Sequence, residues 1–298
     1  MTIVYLNGEF LPESQAKISI FDRGFLFGDS VYEVIPVFNQ KFTGLVEHLE
    51  RLTASLQAIH MAVPLSVTEW TAIFEKLIDL NSPAVDQCIY LQITRGAAEN
   101  RRFGIPHHIK PTILAICFPS PKKPLGIIRK GLRAITLQDK RRIQCHIKST
   151  ALLPNVLAYQ TALDQNTDEA ILIRDGYANE ATSSNLFIVK NNVLITPPLK
   201  PEILAGVTRK IILKIAISQQ IPSLERNITE IELLNADEVW LTGSTKEIYP
   251  IVVINESIIG NGKPGPLWKK MFDLYQQYKT HGHCPSSYNQ QHGGSQIE

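Results

Sequence analysis

The stretch CHIKSTALLPN, residues 145–155, places a lysine just before an apolar run that contains a proline. We predict that this lysine lies at the end of a strand, where it is most often a solvated charge, but a lysine aimed into a pocket has an amine that can react. The proline supports a helix that begins near Pro154, because proline is tolerated in the first turn. Lys148 therefore has two interpretations, and the rest of the chain has to decide between them.

The composition is that of an ordinary globular protein. The 298 residues are 44% hydrophobic and 19% charged, with a formal net charge of +2, and the length suits one large or two medium domains. The basic residues are mostly scattered, unlike a nucleic-acid footprint, and no apolar run approaches the roughly 20 residues of a membrane helix. The N-terminus lacks a signal-peptide pattern, and none of the four cysteines forms a CxxC pair. We therefore predict a cytoplasmic protein without a metal, and with neither nucleic acid nor membrane as partner.

Strands and helices are interleaved in both halves of the chain, which predicts an α/β or α+β protein of two domains with a cleft between them. The segment PSPKKPLG, residues 119–126, holds three prolines and a glycine and is the best linker candidate. We predict an N-terminal α/β domain over residues 1–118, a linker over 119–130 and a C-terminal domain over 131–279. The polar stretch 280–298 is predicted to be a disordered tail.

Several other segments carry chemistry that complements an amine. Glu180 lies between a predicted turn and a predicted strand, and small hydroxyl residues follow it. The segment ILAGVTRK, residues 203–210, sets a glycine turn before a helix, whose free backbone amides would bind phosphate. The loop LTGSTKE, residues 241–247, offers further hydroxyls. Arg51 lies on a helix whose leucines face the core, so its guanidinium can point inward.

A lysine, an acid and a phosphate cradle are together what pyridoxal phosphate requires. The lysine holds the aldehyde as a Schiff base, the acid keeps the pyridine nitrogen protonated, and amides, hydroxyls and an arginine bind the phosphate. Each candidate alone also fits a plain alternative: a solvated lysine, a solvated loop carboxylate or an ordinary helix start. No P-loop and no GxGxxG motif supports a nucleotide site instead.

Eight stretches of the sequence decide between these interpretations. Together they resemble the class IV aminotransferases, which are the fold-type IV pyridoxal phosphate enzymes. They extend from residue 7 to residue 251, and a joint match at these spacings is far more specific than any single motif. The stretches, in chain order, are NGEFLP, DRGFLFGDSVYEVIPV, HLERL, ITRG, IKSTALLPNVLA, NEATSSNLFIV, PEILAGVTRKIIL and VWLTGSTKEIYPI.

The resemblance implies the fold and the roles of the residues. The fold would be a small N-terminal α/β domain followed by a larger pyridoxal phosphate-binding domain with a barrel-like β core. Lys148 would be the Schiff-base lysine and proton shuttle, Glu180 would pair with the pyridine nitrogen, and Tyr32 would line the substrate pocket. The remaining cofactor contacts would come from Arg51, Ser184, Leu204, Val207, Thr208, Ser244 and Thr245.

Within this family, the chain most resembles the D-amino acid transaminases. Branched-chain L-amino acid transaminases typically have FEG where this chain has Tyr32, Glu33 and Val34, and a Gly-Asn stretch after the lysine that is absent here. We therefore predict transfer between a D-amino acid such as D-alanine or D-glutamate and pyruvate or 2-oxoglutarate. The alternatives are a branched-chain L-amino acid transaminase or an aminodeoxychorismate lyase, or a protein that keeps the fold without the cofactor.

One loop departs from the D-amino acid transaminase pattern. Those enzymes carry an Arg-x-His pair after TRG, whereas this loop offers Arg101 and Arg102 with no histidine two positions after either. Either arginine can grip a substrate carboxylate, or both are solvated. The basic cluster at residues 140–142 likewise either places an arginine near the phenolic oxygen of the cofactor or is solvated. The resemblance further implies a homodimer.

Overall fold

The computed structural model describes residues 2–81, 86–121 and 123–281, except the side chain of His281, and contains two separate β-sheets. The first sheet has six strands in the order β2-β1-β6-β5-β3-β4, and every adjacent pair is antiparallel. The strands of this sheet are β1 (Ile3–Leu6), β2 (Glu9–Pro12), β3 (Ser30–Phe38), β4 (Lys41–Phe42), β5 (Gln87–Thr94) and β6 (Thr112–Pro119).

Two amphipathic helices cover the first sheet. The helices of this half are α1 (Arg23–Phe27), α2 (Leu45–Ala58) and α3 (Val67–Asn81), with a 3-10 turn at Glu13–Gln15. The spacing of Leu45, Leu49, Leu52 and Leu56 predicts one apolar face of α2. The last three are buried in the core between helix and sheet, and Leu45 is partly buried against it. The N-terminus of α3 has a capping box, in which the backbone N–H of Ser66 donates to the Glu69 carboxylate at 2.7 Å.

The second sheet closes on itself. Its strands are β7 (Leu132–Gln138), β8 (Glu169–Arg174), β9 (Tyr177–Ala181), β10 (Asn185–Lys190), β11 (Val193–Thr196), β12 (Ser223–Glu225), β13 (Ile228–Thr229), β14 (Glu238–Gly243), β15 (Glu247–Ile254) and β16 (Ser257–Ile258). The path β10-β14-β15-β7-β8-β9 returns to β10 through a further β9–β10 pairing. This closed ring of strands is the barrel-like core that the sequence predicted.

Five helices accompany the second sheet: α4 (Leu125–Ile128), α5 (Leu153–Asp164), α6 (Val207–Ser218), α7 (Glu230–Leu234) and α8 (Pro266–His281). Helix α6 packs its buried isoleucines against the barrel, and α8 adds Trp268 and Tyr275 to the same core. Helix α5 is different, because most of its apolar side chains are exposed. Among the described residues, no helix combines the length and the apolar character that crossing a membrane requires.

Two local predictions were wrong. Lys148 was predicted to lie at the end of a strand, but it lies in an irregular segment between β7 and α5. Glu180 was predicted to lie between a turn and a strand, but it lies within β9 and is buried. The predicted domain boundaries stay a prediction; α4 lies within the proposed linker. The proposed tail lies outside the described residues beyond position 281.

Candidate active site

The segment that carries Lys148 is attached to the N-terminal sheet. The backbone carbonyl of Lys148 accepts a hydrogen bond from the backbone N–H of Tyr32 at 3.0 Å, and the N–H of Lys148 donates to the Ser55 hydroxyl at 3.3 Å. Ser149 forms an isolated antiparallel bridge with Val31. Since the chain before and after this segment belongs to the barrel half, Lys148 lies at the boundary between the two sheets.

The amine of Lys148 lies over an aromatic surface. Its Nζ is 4.1 Å from the centroid of the Tyr32 ring, and the Tyr32 ring packs against Tyr90 with 5.7 Å between centroids. An ammonium group over an aromatic face is favoured electrostatically. The Tyr32 ring therefore supports the amine at the end of its flexible stem, on the side of the N-terminal sheet.

The carboxylate of Glu180 has a partner for each of its oxygens. Oε1 accepts from Arg141, and Oε2 accepts from the backbone N–H of Leu204 at 3.1 Å and from the Asn185 amide at 3.2 Å. The residue is 4% exposed. Burial raises the pKa of Glu180, and the nearby Arg141 charge opposes that rise. The carboxylate is thus fixed in direction and easier to protonate than a solvated glutamate.

One residue of the basic cluster, Arg141, has a buried side chain, while its contact with the phenolic oxygen of the cofactor stays a prediction. Its guanidinium is largely buried and donates to Asp139 through Nε and Nη2 at 2.9 Å each, in addition to Glu180. Burial disfavours its charge, but Asp139 and Glu180 outweigh that effect and raise the pKa of Arg141. Lys140 and Arg142 are exposed. One arginine of the cluster therefore belongs to the site, and the other two basic residues are solvated.

A second buried charge cluster lies on the N-terminal side. The guanidinium of Arg51 donates to both oxygens of Glu33, at 2.8 and 2.7 Å, and His48 Nδ1 lies 2.7 Å from the same carboxylate. Burial alone would raise the pKa of Glu33, but Arg51 and His48 hold it down at about 2. Burial lowers the pKa of His48. Arg51 points inward, as the helical pattern predicts, and is locked there by a carboxylate.

These two clusters meet around the start of α6. Arg51 Nη1 donates to the Ala205 carbonyl at 3.0 Å, directly before the helix. Val207 and Thr208 are the first two residues of α6, and Gly206 is its N-cap residue. Among the described residues, no side chain forms a capping hydrogen bond at this end of the helix. A Cβ on Gly206 would lie 1.8 Å from Asn185 Oδ1, so only glycine fits the close approach.

The β14–β15 turn, residues 243–247, brings hydroxyls toward the same place. Ser244 Oγ lies 3.4 Å from His48 Nε2, Thr245 follows it in the turn, and Ser184 Oγ accepts from Lys246 at 2.9 Å. Helix N–H groups, an arginine and hydroxyls form a donor set that suits a phosphate dianion. With Lys148 for an aldehyde and Glu180 for a ring nitrogen, the residues present fit pyridoxal phosphate.

The match to known proteins agrees with this geometry. The model of the amino-transferase class IV family matches residues 30–254. The chain belongs to the class IV aminotransferases. The family and the fold that the sequence predicted are therefore confirmed.

Individual relatives cover nearly the whole aminotransferase. The D-alanine aminotransferase of Bacillus licheniformis is 40% identical over 90% of this chain and 94% of its own length. The D-alanine aminotransferase of Staphylococcus aureus (strain N315) is 38% identical over 93% of this chain and 98% of its own. Among solved structures, a branched-chain aminotransferase from Thermoproteus uzoniensis with norvaline superposes with a TM-score of 0.82 at 27% identity, covering 93% of this chain and 94% of that one.

The two candidate substrate arginines of the aminotransferase lie on the exposed loop after β5. The guanidinium carbon of Arg101 is 5.0 Å from the Phe27 ring centroid and 5.8 Å from that of Phe103. The backbone carbonyl of Arg102 accepts from the buried Arg23 at 2.7 Å. Arg23 thus anchors this loop, while the roles of Arg101 and Arg102 stay predictions.

Sequence reasoning missed four residues of the aminotransferase site: Glu33, His48, Asn185 and Lys246. Two of them left a signal. Glu33 is a carboxylate in an otherwise apolar strand, where a buried charge demands a partner, and His48 is three residues before Arg51 on the same helix, close enough to share its face. Lys246 gave none, because its partners are more than 60 residues away in the sequence. Asn185 gave none, because it approaches Glu180 only when β9 and β10 pair.

We expect Glu33→Gln to destabilise the aminotransferase by about 3–5 kcal/mol at pH 7, because it leaves the Arg51 guanidinium buried without its counter-charge. Urea unfolding followed by circular dichroism measures this change. Glu50→Gln is the matched control, because Glu50 precedes Arg51 on α2 and has 61% of its side chain exposed; we expect less than about 0.5 kcal/mol there. Equal effects of the two substitutions would contradict a buried Glu33–Arg51 pair.

The same pair predicts a dependence of stability on acid pH. The folded pKa of Glu33, about 2, lies below its ordinary value of 4.5, so its contribution is fully present above pH 4.5 and is lost as the pH falls toward 2. The contribution is on the order of 3 kcal/mol. Comparing the unfolding free energies of the wild type and Glu33→Gln between pH 7 and pH 3 should show the gap narrowing. A gap independent of pH would contradict the depressed pKa.

Proposed function

We propose that this aminotransferase holds pyridoxal phosphate on Lys148 and transfers the amino group between a D-amino acid, D-alanine or D-glutamate, and pyruvate or 2-oxoglutarate. The observation that carries the proposal is the buried Glu180, which accepts three hydrogen bonds, one of them from the loop before the uncapped start of α6. Lys148 lies on the segment of the barrel half that contacts the N-terminal sheet. The choice of D-amino acids is supported by the two D-alanine aminotransferases, which are 40% and 38% identical.

Each residue would do a definite task. When bound, the cofactor supplies an electron sink for charge that develops at the substrate Cα. Lys148 Nζ would take up the proton lost at the substrate Cα and later return it, since its flexible stem lets the amine move. Glu180, held in place by Arg141, would keep a proton on the ring nitrogen. Leu204 would contact the ring, and Tyr32 would line the substrate side.

The phosphate end would be held from three directions. Val207 and Thr208 offer backbone N–H groups at the start of α6, Arg51 adds its guanidinium, and Ser244 and Thr245 add hydroxyls. Ser184 lies close to the same turn and contributes a further hydroxyl. Glu33 and His48 are positioning residues, because they fix the direction of Arg51 without contacting the phosphate themselves.

The exposed loop after β5 would grip the substrate carboxylate. Arg101 and Arg102 are the candidates, because a guanidinium matches a carboxylate with two parallel hydrogen bonds. The buried anchor from Arg23 to this loop supports a defined loop conformation.

The branched-chain alternative deserves a direct test, because the Thermoproteus uzoniensis structure has the same fold. The purified protein is mixed with one amino acid at a time, and the absorbance of the lysine-bound cofactor is followed as pyridoxamine phosphate forms. We expect conversion by D-alanine and D-glutamate and not by L-leucine. The opposite pattern would select branched-chain transamination, and a colourless protein that never takes up the cofactor would exclude both activities.

We further propose a cytoplasmic homodimer. Helix α5 follows the Lys148 segment and exposes an apolar surface of Leu153, Val156 and Leu157, which are 68%, 59% and 59% exposed. An apolar helix face of this kind on a protein surface is typical of an interface. A second copy that covers α5 would lie next to the proposed site and could complete it.

The dimer proposal predicts the behaviour of a charged α5. We expect the double variant Val156→Lys and Leu157→Lys to sediment as a monomer, because the added charges would have to be buried in the interface. Analytical ultracentrifugation of the wild type and the variant measures the change. Ile231→Lys is the control, since Ile231 is 75% exposed on a different surface and its variant should remain dimeric. A monomeric wild type would refute the proposal.

A further inference from the structure

A lysine with no role in the assignments above lies beside the proposed phosphate contacts. The backbone N–H of Lys246 donates to the Gly243 carbonyl at 3.1 Å and closes the β14–β15 turn. Its ammonium pairs with Glu169 Oε2 and donates to the hydroxyl oxygens of Ser183 and Ser184, at 2.9 Å each. The Lys246 and Glu169 side chains are only 16% and 3% exposed. This lysine is therefore part of a built polar cluster and not a surface charge.

The cluster uses all the hydrogen-bonding capacity of the ammonium. A lysine has three N–H donors and no acceptor, and Lys246 meets three oxygens. The other oxygen of Glu169 accepts from the Thr182 hydroxyl and from the Ala170 N–H at 3.0 Å. Glu169 balances the charge of Lys246 and holds it in place. Because all three N–H donors of Lys246 are used in this cluster, Lys246 has none left for a ligand. Its effect must pass through Ser183 and Ser184.

The direction of the two serine hydroxyls follows from their partner. A hydroxyl that accepts from an ammonium keeps its own O–H as a donor. If a carboxylate were its neighbour instead, the hydroxyl would donate its hydrogen bond to that carboxylate. By separating the serines from Glu169, Lys246 makes them donors toward whatever lies on their other side.

The two serines adjoin the turn that carries two of the proposed phosphate contacts. A Cβ on Gly243 would be 3.4 Å from the Ser183 carbonyl oxygen and 4.0 Å from Ser184 Oγ, so the turn that carries Ser244 and Thr245 packs directly on the two serines. A phosphate dianion accepts hydrogen bonds and offers no donors, so a hydroxyl helps it only when the O–H points toward it.

We propose that Lys246 is a positioning residue for the phosphate group of the cofactor: by donating to Ser183 and Ser184, it orients both hydroxyls as phosphate donors. This inference rests on the proposed pyridoxal phosphate site. It assigns Lys246 and Glu169 a recognition role, although neither contacts the phosphate.

The test compares two probes that differ only in the phosphate. Apoprotein is titrated with pyridoxal phosphate and with pyridoxal, and the dissociation constants are read from the absorbance of the bound chromophore. We expect Lys246→Met to weaken pyridoxal phosphate binding about tenfold or more, the change of one good hydrogen bond, and to change pyridoxal binding less than about twofold. Lys190→Met is the control, because Lys190 also pairs with a carboxylate, Asp237, but has 37% of its side chain exposed. This variant should bind both probes as tightly as the wild type does.

Each outcome has a definite meaning. Equal weakening of both probes would show a general structural role and overturn the inference, and so would unchanged binding of pyridoxal phosphate. If the wild type itself binds no pyridoxal phosphate, the proposed function fails, which is a different result from a normal wild type with an unaffected variant.

A second variant covers the case in which Lys246→Met does not fold because Glu169 is left buried without its partner. Combining Lys246→Met with Glu169→Gln removes both charges together, which is far less costly than stranding one. The same criterion applies: a selective loss for pyridoxal phosphate supports the inference, and an equal loss or no loss overturns it.

Discussion

Lys148→Ala should reduce transamination by a factor on the order of 10⁴ or more, and should remove the absorbance band of the lysine-bound cofactor. The amine has two tasks, holding the aldehyde and moving the Cα proton, and alanine can perform neither. Tyr32, whose ring lies 4.1 Å from Nζ, has no amine to substitute for it. Steady-state turnover with D-alanine and an absorbance spectrum of the purified variant measure the two losses.

The matched control is Lys140→Ala, which removes an exposed lysine from the same segment between β7 and α5. We expect turnover within about twofold of the wild type, because surface substitutions away from a site have small effects. Borohydride reduction of the wild type followed by peptide mapping should find the cofactor on Lys148 and not on Lys140. Near-normal turnover of Lys148→Ala would overturn the assignment of the whole site.

The regular elements of the fold could be predicted from the sequence because their patterns are local. The leucine spacing of α2 predicts a helix, and the turn residues Asn191 and Asn192 predict a hairpin, without any long-range information. The capping box at Ser66 and Glu69 does the same for the start of α3. In each case residues within one or two turns of one another decide the structure.

The closure of the barrel and the exact course of the Lys148 segment could not be predicted in this way. The ring closes through the pairing of Glu180 with Asn185, across a turn whose hydroxyl-rich composition suggests a loop. Lys148 is fixed by bonds to Tyr32 and Ser55, which are distant in the chain. A short apolar run near a lysine therefore suggested a strand, although tertiary contacts hold it as irregular backbone.

The candidate site shows the same division. Lys148, Arg51 and Glu180 were identified because the motifs around them resemble a family. Their supporting partners were not, because Glu33 binds Arg51 across two elements and Asp139 orients Arg141 toward Glu180 only after the barrel forms. The structure therefore adds both these supporting partners and the directions in which they hold the charged groups.

Glu180→Gln should retain the cofactor and lose most of the turnover, with kcat falling on the order of 10²–10³-fold. The cofactor stays because Lys148 and the phosphate contacts do not depend on the carboxylate. The rate falls because a neutral amide cannot supply the negative charge that keeps the pyridine nitrogen protonated, so the ring accepts electrons less readily. Single-turnover kinetics with D-alanine, together with the absorbance of the bound cofactor, separate the two properties.

Glu202→Gln provides the comparison, because it removes a carboxylate from the same loop before α6, where only the backbone carbonyl of Glu202 contacts Arg141, at 3.3 Å. That variant should react at close to the wild-type rate. The buried Glu180 differs in that Arg141 and the Leu204 N–H both donate to it, and an amide can satisfy only one of them through its oxygen. A cofactor-loaded Glu180→Gln protein with an unchanged single-turnover rate would show that the ring nitrogen needs no acid from β9, and the proton would then have to be held by another group.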